Sequence, residues 1–498
     1  MGLLPSIFAL TIRTALRRLY RFSTASTIER AEKVSVEKIL SLAYNRNQLA
    51  GGIIRTGGLP PGRGDTMEFQ LKDGMLLGAA SAATQIEGGD DNSNWYDWYR
   101  RGYVKDDSDP SAAVDHYERW REDLELMKDM GIQCYRMGVE WSRVEPRDGV
   151  FDEKAIAHYR EEIQALKEAG IPVLLTLHHF NNPLWLEERG GFAQRDNITC
   201  YLRFVRKMVE SVGDLVSEYI TINEPNVYAY NGYLEGAWPP GRKSFLEMSR
   251  VMTNMAAAHI EAYGLIRKTR LQMGYKDTRV GVANHLRAFA PKDPKNPLQR
   301  FWAERVEELF QGSLTKAMCT GRVVFPIGKH PSIVPGEFCD FHGVNYYTRS
   351  TVSGPADGVA ENCPVNDLGW EIYPEGIGEV CRKVYGVLKK PIYITENGTC
   401  DNGDRFRARY IAEHLRVLCE SGLPVERYYH WCFCDNWEWV EGTSARFGLV
   451  HVDFETQART VKDSGAFYKR VIQERGVSEA LYEAFCGGEY PKNGEDQG

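Results

Sequence analysis

Eight short apolar runs alternate with helical segments from residue 75 onward, and two of these runs end in a glutamate followed by chain breakers. Together these observations predict a closed (β/α)8 barrel with a pair of carboxyl groups at the carboxyl ends of its strands. The runs are MLLGAASAA (75–83), IQCYRMGVEW (132–141), PVLLTLHH (172–179) and YITIN (219–223), then RVGVANHL (279–286), FHGVNYY (341–347), PIYITE (391–396) and RYYHWCF (427–433). Each is rich in β-branched or aromatic residues, as a parallel strand covered on both faces requires. Helical segments lie between them. HYERWREDLELMKDMG places Leu124, Met127 and Met130 near helical spacing and stops at Gly131; AIAHYREEIQALKEAG stops the same way at Gly170. An open doubly wound sheet is the competing architecture, but no GxGxxG opens the first helix.

The chain has 498 residues, within the range of one large barrel with insertions. A net charge of −7 supplies no global basic field, so nucleic acid is not an expected partner. No apolar run reaches membrane-span length. The eleven cysteines are scattered, and Cys432 and Cys434 are separated by a single residue. That pattern reads as reduced thiols of a cytoplasmic protein rather than a disulfide framework or zinc ribbon. His178 and His179 are adjacent and there is no HExxH, so neither a metal nor a cofactor is expected.

Residues 1–66 differ from the rest. They carry ten Lys and Arg against four acids, a net +6, and end in the Gly/Pro-rich TGGLPPGRGD. The expected organisation is a dispensable, disordered extension over 1–66, one catalytic domain over 67–486 and a flexible tail over 487–498. The extension is loosely transit-peptide-like, and MGLLPS matches the short myristoylation pattern.

The strand-end glutamates are Glu224 in TINEPN and Glu396 in ITENG, 172 residues apart in sequence. In a barrel both face one pocket. Two carboxyls flanking a glycosidic bond are the minimum apparatus for its hydrolysis: one protonates the leaving oxygen, the other attacks or activates water. A lone strand-end acid more often caps a helix or pairs with arginine; two matched motifs, each with an adjacent asparagine, favour a shared site.

These motifs resemble the paired signatures of glycoside hydrolase family one, the β-glucosidase family. GAASAATQIEG (78–88), YRMGVEWSRVEP (135–146), LLTLHHFNNPLWL (174–186), VNYY (344–347), GWEIYPEG (369–376) and WCFCDNWEWVEGTSARFGLVHVDF (431–454) follow in family order. The resemblance implies Glu224 as general acid/base and Glu396 as nucleophile of a retaining mechanism, with Arg136, Asn345 and Tyr347 supporting the nucleophile. It implies sugar contacts from Gln85, His179, Asn223, Trp370, Trp431, Glu438 and Trp439. A like charge nearby is expected to keep Glu224 protonated beside an ionised Glu396. The substrate class implied is a neutral β-glucoside, with β-galactosides and β-fucosides as neighbours. A 6-phosphorylated sugar is disfavoured because Glu438 would repel it. A transglycosidase shares every residue named, whereas an inactive binding relative usually loses one acid. Two departures, Phe180-Asn181 where the family often has Trp-Asp and His178 where it often has Tyr, are expected to alter the pocket rim. Homo-oligomerisation is compatible with the sequence.

Overall fold

The computed structural model describes residues 67–494. The positions expected to form the N-terminal extension lie outside the described residues. Eight strands form the barrel: β1 Leu76–Ala80, β2 Tyr135–Gly138, β3 Val173–Thr176, β4 Glu218–Asn223, β5 Arg279–His285, β6 His342–Tyr346, β7 Ile392–Asn397 and β8 Val425–Trp431. All neighbouring pairs are parallel, and β8 closes onto β1 through Tyr429 opposite Gly78. Each of the eight apolar runs therefore overlaps one barrel strand.

The return helices are α1 His116–Met130, α2 Glu153–Glu168, α3 Asn197–Val212, α4 Phe245–Gln272, α5 Ser313–Thr320, α6 Glu375–Val387, α7 Arg407–Glu420 and α8 Asp463–Glu474. Local chemistry sets their ends. The Asp152 carboxylate accepts from the Lys154 and Ala155 amides to start α2, and Ser244 caps α4 through the Glu247 amide. Gly131 ends α1 in the left-handed region at φ 71°, as its place in the sequence predicted. Strands β2, β3 and β4 are buried along their whole length, between the packed barrel interior and the helical ring.

Part of the tail expected from residue 487 is held by the rest of the chain. Tyr490 packs on Phe406, donates to Glu413 at 2.8 Å, and the 363–365 backbone pairs with Pro491 and Asn493. Among the described residues no helix is long and apolar enough to cross a membrane.

Candidate active site

The polar residues of the site converge at the carboxyl ends of the strands, the end at which barrel enzymes place their chemistry. Arg136 comes from β2, Thr176 from β3, Asn223 and Glu224 from the end of β4, His285 from β5 and Asn345 from β6. Glu396 ends β7 and Trp431 ends β8. All eight are buried.

The first motif is explained by its backbone. Glu224 has φ 43° and ψ 54°, the left-handed region that a β-carbon disfavours. Pro225 directly follows as the first residue of a short helix, where its missing N–H costs nothing. The strand is thereby broken at Glu224, and the side chain swings into the barrel mouth. In the second motif Gly398 is needed for space: a β-carbon there would lie 1.9 Å from the Trp431 carbonyl oxygen. Asn397 stays out of the site. It donates to the Tyr346 carbonyl and accepts from Tyr428, tying the ends of β6, β7 and β8 together.

The two carboxyls share one hydrogen-bond network. Arg136 donates to Glu396 Oε1, to the Asn223 side-chain oxygen at 2.7 Å and to the Thr395 carbonyl at 3.0 Å. Tyr347 donates to the other Glu396 oxygen at 2.6 Å. Asn345 Nδ2 donates to Glu224 Oε1 at 2.8 Å and to Asn223 Oδ1 at 3.0 Å, while its oxygen accepts from Thr395. Because Asn223 Oδ1 takes two donors, its amide nitrogen must be the group facing His179 Nε2 at 2.9 Å. His179 therefore accepts at Nε2 and carries its hydrogen on Nδ1, which is buried without a protein partner. Burial, with Arg136 close by, holds the His179 imidazole neutral.

Burial pushes Glu396 up to about 7; Arg136 and Tyr347 oppose this, and Glu224 adds to it. The sequence reading put like-charge repulsion first and the raised value on Glu224. At Glu396 desolvation is the larger effect, and the two donors offset only part of it. Glu438 is pushed to about 8, by burial first and by Glu396 second, against hydrogen bonds from Gln85 and Trp431. A Glu438 carboxyl that is largely neutral at pH 7 repels phosphate less than the sequence argument assumed. Its partners are neutral donors, and a phosphate calls for cations.

The other expected contacts fall around the same mouth. Gln85 Nε2 lies 3.1 Å from acceptors on Asn436, Trp437 and Glu438, so its oxygen, partnerless in the protein, faces away from them. Trp431 and Trp439 lie 5.8 and 5.9 Å from the His179 ring. Trp370 is half-buried and meets Tyr347 edge-on. His178 donates to Asn182 at 3.0 Å and packs against Phe192 and Tyr228. Phe180 and Asn181 are buried rather than at the rim: Phe180 packs on Trp238 and Trp439, and Asn181 donates to Glu140. The expected change of rim at these two positions is therefore a change behind the pocket wall.

Sequence reasoning missed two residues. His285 Nδ1 lies 3.1 Å from Glu224 Oε1, and Arg287 Nε donates to His285 Nε2 at 3.1 Å. A guanidinium can only donate, so the imidazole hydrogen sits on Nδ1 and points at Glu224. The signal was present: NHL closes the fifth apolar run, a strand end like those that hold the two glutamates.

A (β/α)8 barrel with two buried, mutually linked carboxyls at its strand ends defines a carboxylate-dependent barrel enzyme. The chain belongs to glycosyl hydrolase family 1, whose model matches residues 67–477, and it is an O-glycosyl hydrolase. It is 32% identical over 447 residues to beta-glucosidase A of Thermotoga maritima, covering 82% of this chain and 99% of that one. It is 28% identical over 511 residues to a beta-galactosidase of Pyrococcus woesei, covering 83% and 99%. Among solved structures, a beta-glycosidase from Pyrococcus horikoshii superposes with a TM-score of 0.76 at 33% identity, covering 85% of this chain and 99% of that one.

Proposed function

We propose that the protein is a retaining β-glycosidase acting on terminal β-D-glucosyl groups, with β-galactosyl and β-fucosyl groups as secondary substrates. The observation that carries this reading is the unequal treatment of the two carboxyls. Glu396 has a donor on each oxygen, one of them the permanently charged Arg136. That arrangement suits a carboxylate that must be ionised and aimed at one carbon. Glu224 Oε1 takes two neutral donors, Asn345 and His285. Its Oε2 is then the oxygen that carries the proton.

In the first step Glu224 gives its proton to the leaving oxygen while Glu396 bonds to the anomeric carbon. Ester formation removes the Glu396 charge, and Glu224, now ionised, takes a proton from water as that water attacks the same carbon. Asn223, with its amide fixed by Arg136 and Asn345, is placed to strengthen a bond to the sugar 2-hydroxyl as charge develops. Gln85 Oε1 and the His179 Nδ1–H supply an acceptor and a donor without protein partners, which suits sugar hydroxyls. Glu438 binds the far hydroxyls, Trp431 and Trp439 form the floor, and Trp370 is a platform for the leaving group. The names of the bacterial and archaeal relatives, a beta-glucosidase and a beta-galactosidase, support a neutral glycone of either configuration at C4.

A panel of nitrophenyl β- and α-glycosides tests this, run on wild type and Glu396→Ala with and without azide. The expected result is β-glucoside cleavage, lost by several orders of magnitude in the variant and partly restored by azide as the inverted glycosyl azide. Faster cleavage of a 6-phosphoglucoside, or activity in Glu396→Ala without azide, would overturn the reading. Product analysis with an added alcohol measures how much glycosyl-enzyme goes to transfer rather than hydrolysis.

A further inference from the structure

A second cluster of reactive groups lies at the other end of the barrel. Cys319 is near the end of α5, Cys339 lies in the segment that leads into β6, and His342 is the first residue of β6. The amino ends of barrel strands are the stability face of this fold, away from the chemistry. All three residues are buried, at 1%, 1% and 3% exposure, and both thiols are free. Their two sulfurs and one imidazole nitrogen all lie within 4.8 Å of one another, with Cys319 Sγ 3.8 Å from His342 Nδ1.

The histidine is already set as a ligand. His342 Nε2 lies 2.7 Å from the Leu388 carbonyl oxygen, which can only accept, so the ring hydrogen is on Nε2. In the neutral imidazole Nδ1 then presents a lone pair to the thiols. Orientation of a metal-binding imidazole by a backbone carbonyl on its far nitrogen is the usual outer support of such sites. Zn–S bonds of about 2.3 Å and Zn–N bonds of about 2.0 Å at tetrahedral angles put sulfur and nitrogen ~3.5 Å apart, so Cys319 and His342 need to close by only a few tenths of an ångström.

We propose that Cys319, Cys339 and His342 form a zinc site with three protein ligands. Charge favours a divalent ion. Two thiolates and a neutral imidazole cancel the charge of Zn2+, and a buried site tolerates a neutral assembly far better than a net charge. Residues 321–341, which contain no helix or strand, connect α5 to β6. Their two ends are already adjacent, since the Phe338 amide donates to the Cys319 carbonyl at 3.0 Å. A metal clamp closes this long segment at its base. The cysteine spacing read as uninformative thus contains one metal-like unit, Cys339-x2-His342, whose third member lies twenty residues earlier.

The test uses the full chain, purified under reductant and stripped with a chelator. Zn2+ is titrated against a chromophoric chelator, with Co2+ as spectroscopic probe. The expected result is one equivalent of zinc bound below micromolar Kd, a thiolate-to-cobalt charge-transfer band and a Tm raised by several degrees. In Cys339→Ser and in His342→Ala the affinity should fall at least tenfold. β-Glucoside hydrolysis in the same samples reports folding, because the cluster lies at the opposite end from Glu224 and Glu396. If a variant does not fold, the wild-type stoichiometry and cobalt spectrum decide alone. Absence of saturable binding, equal binding by Cys319→Ser/Cys339→Ser, or a Cys319–Cys339 disulfide in the purified protein would overturn the proposal.

Discussion

Replacing Tyr347 by Phe removes one hydroxyl and little else. The ring keeps its stack on His285 at 5.8 Å and its edge contact with Trp370, so no cavity opens. What is lost is the 2.6 Å donation to Glu396 Oε2. A hydrogen bond to a charged group contributes about 1.5–3 kcal/mol, and one pKa unit corresponds to about 1.4 kcal/mol. The hydroxyl stabilises the ionised form, so its loss raises the Glu396 pKa, by roughly 1–2 units above its value of about 7. The free enzyme's acid limb appears in kcat/KM against pH, where Glu396 must be ionised to attack. For Tyr347→Phe that limb should move to higher pH by the same amount, with the largest loss, about 10- to 100-fold, on the acid side. Nitrophenyl β-glucoside hydrolysis measured from roughly pH 5 to pH 9 reads both. An acid limb that stays in place while only KM rises would mean that Tyr347 merely packs against the sugar, and the electrostatic account of Glu396 would fail.

Glu396→Gln should abolish hydrolysis yet stabilise the fold. Its carboxyl has an ordinary value of 4.5 and a folded value of about 7, so ionisation costs the native state stability that is intact below pH 4.5, declines as pH rises and is fully lost above 7, worth about 3 kcal/mol. Tm should therefore exceed wild type by a few degrees at pH 8 and match it near pH 4.5; an equal gain at both values would refute the linkage. His285→Ala removes one of the two donors on Glu224 Oε1 and should slow alkyl glucosides and cellobiose several-fold more than dinitrophenyl glucosides, which need no acid; equal losses would argue against a role in orienting the proton. Residues 67–498 expressed alone should retain the wild-type kcat/KM, and an insoluble or inactive product would show that the first 66 residues are required.

The barrel was legible because each strand is an uninterrupted apolar run, and covered parallel strands leave no polar alternation to confuse the reading. Gly131 marked a helix end correctly because a left-handed residue there leaves little choice but glycine. The strand-end pair was legible for a related reason: Pro225 after Glu224 answers a local backbone demand and Gly398 after Asn397 the close approach of the Trp431 carbonyl, and both chain breakers are visible in one dimension. What stayed hidden depends on distance in three dimensions. Phe180 and Asn181 looked like rim residues because they follow His179, but the φ of 67° at Phe180 turns the chain inward. Cys319, Cys339 and His342 meet only because a long segment returns to its origin.

The same reasoning shows why two glutamates can be equivalent in sequence and unequal in function. Each ends a strand, each is buried, and each stands beside an asparagine, so intrinsic chemistry cannot separate them. Their partners do. Arg136 cannot give up its proton under any working condition, and it touches Glu396 rather than Glu224. The donors on Glu224 are an amide and a neutral imidazole whose polarity Arg287 enforces from outside the pocket. Desolvation raises the cost of charge in this mouth, as the upward shifts of Glu396 and Glu438 show, and the guanidinium offsets part of that cost at Glu396. In the proposed mechanism these unequal partners, Arg136 and Tyr347 on Glu396 against Asn345 and His285 on Glu224, are what make one carboxyl the nucleophile and the other the acid.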